Sequence, residues 1–224
     1  MNISQQIQSI NNELPPNVRL IAVSKLHPAE AIMEAYNAGQ RIFGENKAQE
    51  LVGKYEVLPK DIEWHFIGHL QTNKIKYIVP FVSMIHGVDS VNLLKEINRQ
   101  GEKIGRCINI LLQIHIAKEE TKYGFSEKEC FDFLDSGLYK TLTHINICGL
   151  MGMATFTEDM NIVRSEFKSL HSFFNKLKQT FFISENNFKE LSMGMSEDYH
   201  EAIIEGSTLV RIGSKIFGER QYYQ

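Results

Sequence analysis

Strand-length apolar runs alternate with segments of helical periodicity along the whole sequence, and this alternation restricts the chain more than any other feature. The runs are Val18 to Lys25, Arg41 to Asn46, Glu63 to Gly68, Met84 to Val88, Ile108 to Ile116, Ile145 to Met153, Glu190 to Ser196 and Leu209 to Phe217, eight in all. Between them the clearest helix covers about Asp159 to Phe181, where Ile162, Val163, Phe167, Leu170, Phe173, Phe174 and Leu177 follow the i, i+3, i+4 rule. A second starts at Pro28, turns Ala29, Ile32, Met33 and Tyr36 to one side and stops at Gly39. Helices are also expected after Ser90, Ser126 and Ser196, each serine being a plausible N-cap, and Glu129 completes a capping box with Ser126.

Eight strand-helix units with only an N-terminal helix left over fit either a closed barrel or an open, doubly wound sheet. The count of eight, and the lack of a G-x-G-x-x-G after the first strand, favour a single (β/α)8 (TIM) barrel with an extra N-terminal helix. At 224 residues and 43% hydrophobic, with no linker-like tract, the chain reads as one domain over residues 1–224. A formal net charge of −3, with both signs interspersed, argues against nucleic acid and anionic membranes as partners. The segment MNISQQIQSINNEL lacks the basic and apolar regions of a signal peptide, and no apolar run is long enough to span a bilayer. A cytosolic location is expected. Cys107, Cys130 and Cys148 show no CxxC pair, and they read as buried thiols rather than as disulfides or a zinc site.

In such a barrel chemistry belongs at the C-terminal ends of the strands, so the polar residues found there are the candidates. Lys25 follows the apolar Ile21-Ala22-Val23. It is either a rim lysine covering apolar surface with its stem, or a partly desolvated amine, nucleophilic toward an aldehyde and suited to a Schiff base. Gly194 and Ser196 lead into a helix expected over Glu197 to Glu205, and Gly213-Ser214 end the last strand. Ser196 read alone is an ordinary N-cap and Gly194 an ordinary turn. Together the two loops resemble the phosphate site that barrels build after strands seven and eight. Arg211, two residues before Gly213, is expected to point inward. It needs either a carboxylate partner or, functionally, a ring nitrogen that its permanent charge would keep unprotonated. His65 and His69 fall on a strand and its end and do not read as a metal pair. Glu119-Glu120 and Glu197-Asp198 read as a solvated loop and an acidic first turn.

Eight stretches carry a resemblance: AVSK (22–25), FGENKAQE (43–50), WHFIGHLQTNK (64–74), HGVDS (86–90), TKYGF (121–125), GLMGMAT (149–155), LSMGMSEDYHEAI (191–203) and GSTLVRIGSKIFGER (206–220). In this order they resemble the pyridoxal phosphate homeostasis protein family over nearly the whole chain. The resemblance implies a barrel similar to the N-terminal domain of alanine racemase, with pyridoxal 5′-phosphate (PLP) as cofactor. It implies Lys25 as the Schiff-base lysine, Ser196, Gly213 and Ser214 as the phosphate cradle, Arg211 facing the pyridine nitrogen and Asn46 near the ring. Lys122 matches a second lysine connected with cofactor handling, and no metal is implied.

Three functions are compatible with these residues: a PLP-dependent, racemase-like amino-acid enzyme, a protein that binds, stores and delivers PLP without turnover, and a barrel enzyme using Lys25 on a sugar phosphate. PLP supplies the electron sink, but an enzyme must add a positioned acid or base. In racemase-like enzymes that group comes largely from a further β-domain and a dimer partner, whereas this sequence stops just past the eighth strand. Arginine at the ring nitrogen also weakens the sink. The expectation is therefore a monomeric carrier without catalytic residues, its PLP released when an amine of Lys122 or of an apo PLP-dependent enzyme displaces Lys25.

Overall fold

A computed structural model describes residues 2–119 and 123–218. Eight strands are present: β1 (Arg19–Val23), β2 (Ile42–Glu45), β3 (Glu63–Phe66), β4 (Met84–Val88), β5 (Ile108–Gln113), β6 (Ile145–Met151), β7 (Glu190–Ser192) and β8 (Leu209–Ile212). They form a closed barrel in chain order, every neighbour parallel. The closing pair aligns Arg19 with Leu209, Leu20 with Val210, Ile21 with Arg211 and Ala22 with Ile212. That register rules out the open-sheet alternative, because an open sheet leaves its outer strands unpaired.

The strands are buried on both faces, which explains their near-continuous apolar runs. Ile21, Ile42, Met84, Leu111, Cys148, Met151 and Leu209 form a cluster drawn from strands alone. This is the barrel interior. A larger cluster joins the outer strand faces to the helices, among them α1 (Ile3–Glu13), α2 (Ala29–Asn37), α3 (Ala48–Val57), α5 (Val91–Lys103), α6 (Glu127–Asp135) and α7 (Met160–Phe181), with the short α4 (Ile75–Ile78) between. In α7, Val163, Phe167, Leu170, Phe173, Phe174 and Leu177 are buried, as their spacing predicts, and Asp159 caps the helix through Asn161 N–H. Ser90 caps α5, and Ser126 with Glu129 forms the expected capping box on α6. The N-terminal helix α1 has its own capping box, Asn2 with Gln5, and buries Ile7 and Ile10.

Several strands stop short of the apolar runs that signalled them. The last apolar run extends to Phe217, but β8 ends at Ile212 and residues 214–217 turn into the short helix α9 (Ser214–Phe217). A run this short, Lys215-Ile216-Phe217, does not distinguish period 2 from period 3.6, and Ile216 buries itself equally well in a helical turn. The run through Ser196 likewise leaves the sheet after Ser192, and the helix expected from Glu197 is α8 (Tyr199–Ile204) with Asp198 at its cap position. Cys107, expected to be buried, is exposed just before β5, whereas Cys130 and Cys148 are buried, and all three are free thiols. Among the described residues no helix is long and apolar enough to cross a membrane.

Candidate functional site

Strand pairing sets the level of each candidate at the C-terminal mouth. Val23 is aligned with Gly44, and the ladder continues as Ser24 N–H donates to the Gly44 carbonyl at 3.1 Å. Lys25 and Asn46, each two residues further along, therefore stand side by side at the mouth, both half-buried. On the other side of β1, Gly213 follows directly after the aligned pair Ala22 and Ile212. It lies so close that a Cβ there would stand 3.1 Å from the Val23 carbonyl oxygen. Lys25 is thus flanked by Asn46 and by Gly213-Ser214.

The loop after β7 joins this group through one hydrogen bond. Ser196, buried, does not cap α8. Its Oγ accepts the Gly213 N–H at 3.3 Å, tying the β7 and β8 loops together. Gly194 makes the loop possible: its φ is +90°, and a Cβ would meet Ala202 Cβ at 2.6 Å and Tyr199 Cα at 2.9 Å. Asp198, at the cap position of α8, turns its side chain back: its Oδ1 accepts the Met195 N–H at 2.5 Å and caps no N–H of the helix. Ser196, Gly213 and the exposed Ser214 therefore lie together at this mouth, Gly213 at the cap position and Ser214 the first residue of the short α9. Lys122 lies outside the described residues.

Arg211 points into the barrel and is buried, the inward orientation that its alignment with Ile21 requires. Its Nη1 donates to Ser192 Oγ at 2.6 Å and its Nη2 to the Gly152 carbonyl at 3.1 Å. Both acceptors are neutral, and no carboxylate among the described residues forms a salt bridge with it. Burial lowers its pKa to about 10, with the charge of Asp198 opposing the shift, so the guanidinium stays charged at neutral pH. A buried cation satisfied only by neutral acceptors fits a ligand that brings an acceptor atom or a negative charge. Lys25 supplies an amine and the linked loops supply backbone N–H and hydroxyl donors, so the residues present fit a phosphorylated aldehyde such as PLP.

Two buried polar groupings had no signal in local sequence. Ser192 Oγ lies 3.0 Å from His86 Nδ1, and His86 Nε2 lies 3.0 Å from His65 Nδ1, forming a file from Arg211 toward the barrel floor. Because Arg211 only donates, the Ser192 hydroxyl proton is free to turn to His86, which then donates from Nε2 to His65. Burial depresses both imidazoles, His65 to about 3 and His86 well below its usual value, so both are neutral. His69, by contrast, pairs with Asp89 at 2.8 Å and stacks on Tyr123. No cluster of three or more possible metal ligands occurs among the described residues. The second grouping packs Ser24 and Glu45 against Glu50 and Lys54 of α3. Burial pushes the Glu45 carboxyl up to about 7 against the pull of Lys54. The i, i+4 spacing of Glu50 and Lys54 was visible in the sequence, but it reads equally as a surface helix pair.

Fold and mouth together define a class: a single parallel eight-stranded barrel that gathers a lysine, a serine-glycine cradle and an inward arginine at the C-terminal ends of its strands. Residues 1–221 match the family described as "Alanine racemase, N-terminal domain". The Pyridoxal phosphate homeostasis protein of Aquifex aeolicus (strain VF5) is 39% identical over 205 residues, 91% of this chain and 88% of that protein. The solved structure of PipY of Synechococcus elongatus PCC7942 with PLP bound superposes with a TM-score of 0.87 at 36% identity, covering 97% of this chain and 100% of that one. This chain belongs to the pyridoxal phosphate homeostasis protein family. The alanine racemase of Clostridium difficile 630, at 12% identity and a TM-score of 0.75 over 99% of this chain and 56% of that one, shares the fold alone.

Proposed function

We propose that this chain binds PLP at the C-terminal mouth of its barrel and holds, stores and hands on that cofactor in the cytosol, without efficient turnover of amino acids. In this reading Lys25 is the covalent tether, Ser196, Gly213 and Ser214 receive the phosphate, Asn46 flanks the ring and Arg211 faces the ring nitrogen. The observation that carries it is Arg211, a buried cation with neutral protein partners beneath Lys25, in a chain whose solved relative PipY has PLP bound. When bound, PLP supplies an aldehyde that condenses with a lysine amine, with loss of water.

Arg211 stays charged, donates rather than accepts, and leaves a ring nitrogen unprotonated. That weakens the electron sink a PLP enzyme relies on, and it supports holding over catalysis. Neutral His65 and His86 lie below Arg211 in the barrel and so are not placed to act as acid or base at the rim. Free Cys107, Cys130 and Cys148 suit a reducing cytosol. Every strand of the barrel is paired within the chain, which supports one domain over residues 1–224 and leaves a second copy no strand edge to extend; the single copy is part of this reading. Release is assigned to a competing amine, from Lys122 or from a lysine of an apo PLP-dependent enzyme.

The test is the visible spectrum. Protein mixed with PLP is expected to gain a band that borohydride locks onto Lys25, and Lys25→Ala is expected to lose it. A protein that stays colourless with added PLP overturns the reading. Amino acids are then screened for racemisation, decarboxylation and transamination, and sustained turnover well above that of free PLP would reject the non-enzymatic part. Transfer of PLP from the loaded protein to an apo-enzyme should outpace transfer through free solution, and equal rates would leave storage without delivery.

A further inference from the structure

Between the outer face of β1 and β2 and the helix α3, four polar side chains form a closed group. Ser24 and Glu45 are fully buried, Lys54 is nearly so, and Glu50 lies at the edge. Lys54 Nζ donates to the Ser24 carbonyl at 2.8 Å, to Glu45 Oε1 at 2.7 Å and to Glu50 Oε1 at 2.7 Å. These bonds use all three ammonium protons. Ser24 Oγ donates to Glu45 Oε1 at 2.6 Å, and the Leu26 N–H donates to Glu50 Oε1 at 2.6 Å.

The residue enclosed by these contacts is Lys25. The peptide before it is held through the Ser24 carbonyl by Lys54, and the peptide after it through the Leu26 N–H by Glu50. Leu26 has φ +66°, and no other non-glycine among the described residues has a positive φ. A leucine in that region is strained, and such a conformation persists only where the surroundings over-determine it. Buried ion groups are poor devices for stability, since well-packed apolar side chains hold a fold as well or better. The group's hydrogen bonds converge instead on the two peptide units that fix where the Lys25 side chain departs from the backbone.

We propose that Glu50 and Lys54 of α3, with Glu45 and Ser24, are positioning residues for Lys25: they clamp both of its peptide bonds so that its amine enters the mouth from one fixed direction. This rests on the reading of Lys25 as the tether. None of the four residues touches the cofactor in this scheme. Their effect is on covalent loading, and the phosphate loops and Arg211 are left as they are.

The experiment is a double-mutant cycle on the full chain. Glu50→Ala is preferred to a Lys54 variant, which would strand buried Glu45 and risk the fold. PLP binding is measured by equilibrium dialysis for the unmodified protein, Glu50→Ala, Lys25→Ala and the double variant, with thermal melts and circular dichroism confirming the native fold in each. Trapping by borohydride followed by peptide mass analysis identifies the loaded lysine. The expected result is a loss of about tenfold in binding for Glu50→Ala, the scale on which removing an orienting group acts. Glu50→Gln should recover most of it, because the amide oxygen still accepts the Leu26 N–H. The loss should disappear in the Lys25→Ala background, where the remaining binding is noncovalent. An equal loss in both backgrounds, or no loss in either, overturns the clamp. Trapping on a lysine other than Lys25 in the unmodified protein overturns the tether reading itself, a result independent of Glu50.

Discussion

Burial lowers the proton affinity of Arg211, His65 and His86 alike, yet the consequences differ because their starting values differ. Arg211 remains charged at about 10, whereas His65 at about 3 is neutral throughout the physiological range. Between about 3 and the ordinary 6.5 the unfolded chain binds a proton that folded His65 refuses, so its share of stability is lost as pH falls through that window. Glu45 has the opposite sign. Its folded value near 7 exceeds the ordinary 4.5, the folded chain binds the extra proton, and stability declines as pH rises between those values. Urea midpoints from pH 4 to 7.5 are expected to fall less on acidification in His65→Asn than in the unmodified protein. They should decline less from pH 4.5 to 7 in Glu45→Gln, and profiles of unchanged shape would contradict both assignments. Ser192→Ala should cost about 1–3 kcal/mol by urea denaturation, because it leaves buried donors and acceptors of Arg211 and His86 without their shared partner. Lys25 and Arg211 were legible as candidates because each stands at a strand end or on a strand face that sequence reveals. Glu45 and Lys54 were not, because nine residues of separation on a strand and a helix carry no sign that the two are buried together.

At the scale of elements, local signals held where the decisive contact is local. Ser90 and Ser126 cap their helices because an N-cap needs only a side-chain oxygen within reach of N–H groups two or three residues on. Ser196 looks the same in sequence, yet its oxygen accepts from Gly213, which belongs to another loop. Ser126→Ala should therefore cost about 1 kcal/mol of stability and leave PLP binding unchanged. Gly194→Ala should behave differently: a methyl there meets Ala202 and Tyr199 at a backbone angle that disfavours side chains. The expected outcome is a loss of about 1–3 kcal/mol together with weaker PLP binding, because the loop bearing Ser196 must shift. Thermal melts and equilibrium dialysis on the two variants check the contrast, and equal effects on binding would sever Gly194 from the cradle. Strand ends were the least legible boundaries. Apolar runs continue past Ile212 and Ser192, but residues 214–217 wind into α9, and Gly194, at φ +90°, leaves extended geometry although its carbonyl still accepts the Arg211 N–H at 3.0 Å.

For the whole molecule, closure of the barrel is what places Gly213 beside Val23, and with it the loops proposed to receive the phosphate beside Lys25. A ligand that bridges these loops binds the folded chain and not the unfolded one. At about 100 times its Kd it adds about 2.7 kcal/mol, roughly 5–10 °C in Tm for a chain of this size. PLP is expected to produce that rise in a thermal melt, with a smaller rise at equal concentration in Lys25→Ala, and an unmoved Tm at saturating PLP would contradict binding to the folded mouth. The strand-helix alternation and the number and chain order of the strands were written in the sequence, because periodicity and chain order are local properties of a polymer. Closure between the first and last strands, the file from His65 through His86 and Ser192 to Arg211, and the clamp around Lys25 were decided only in three dimensions. His86 and Ser192 are 106 residues apart, and nothing in the local pattern around either one says which distant side chain will meet it once both are out of water.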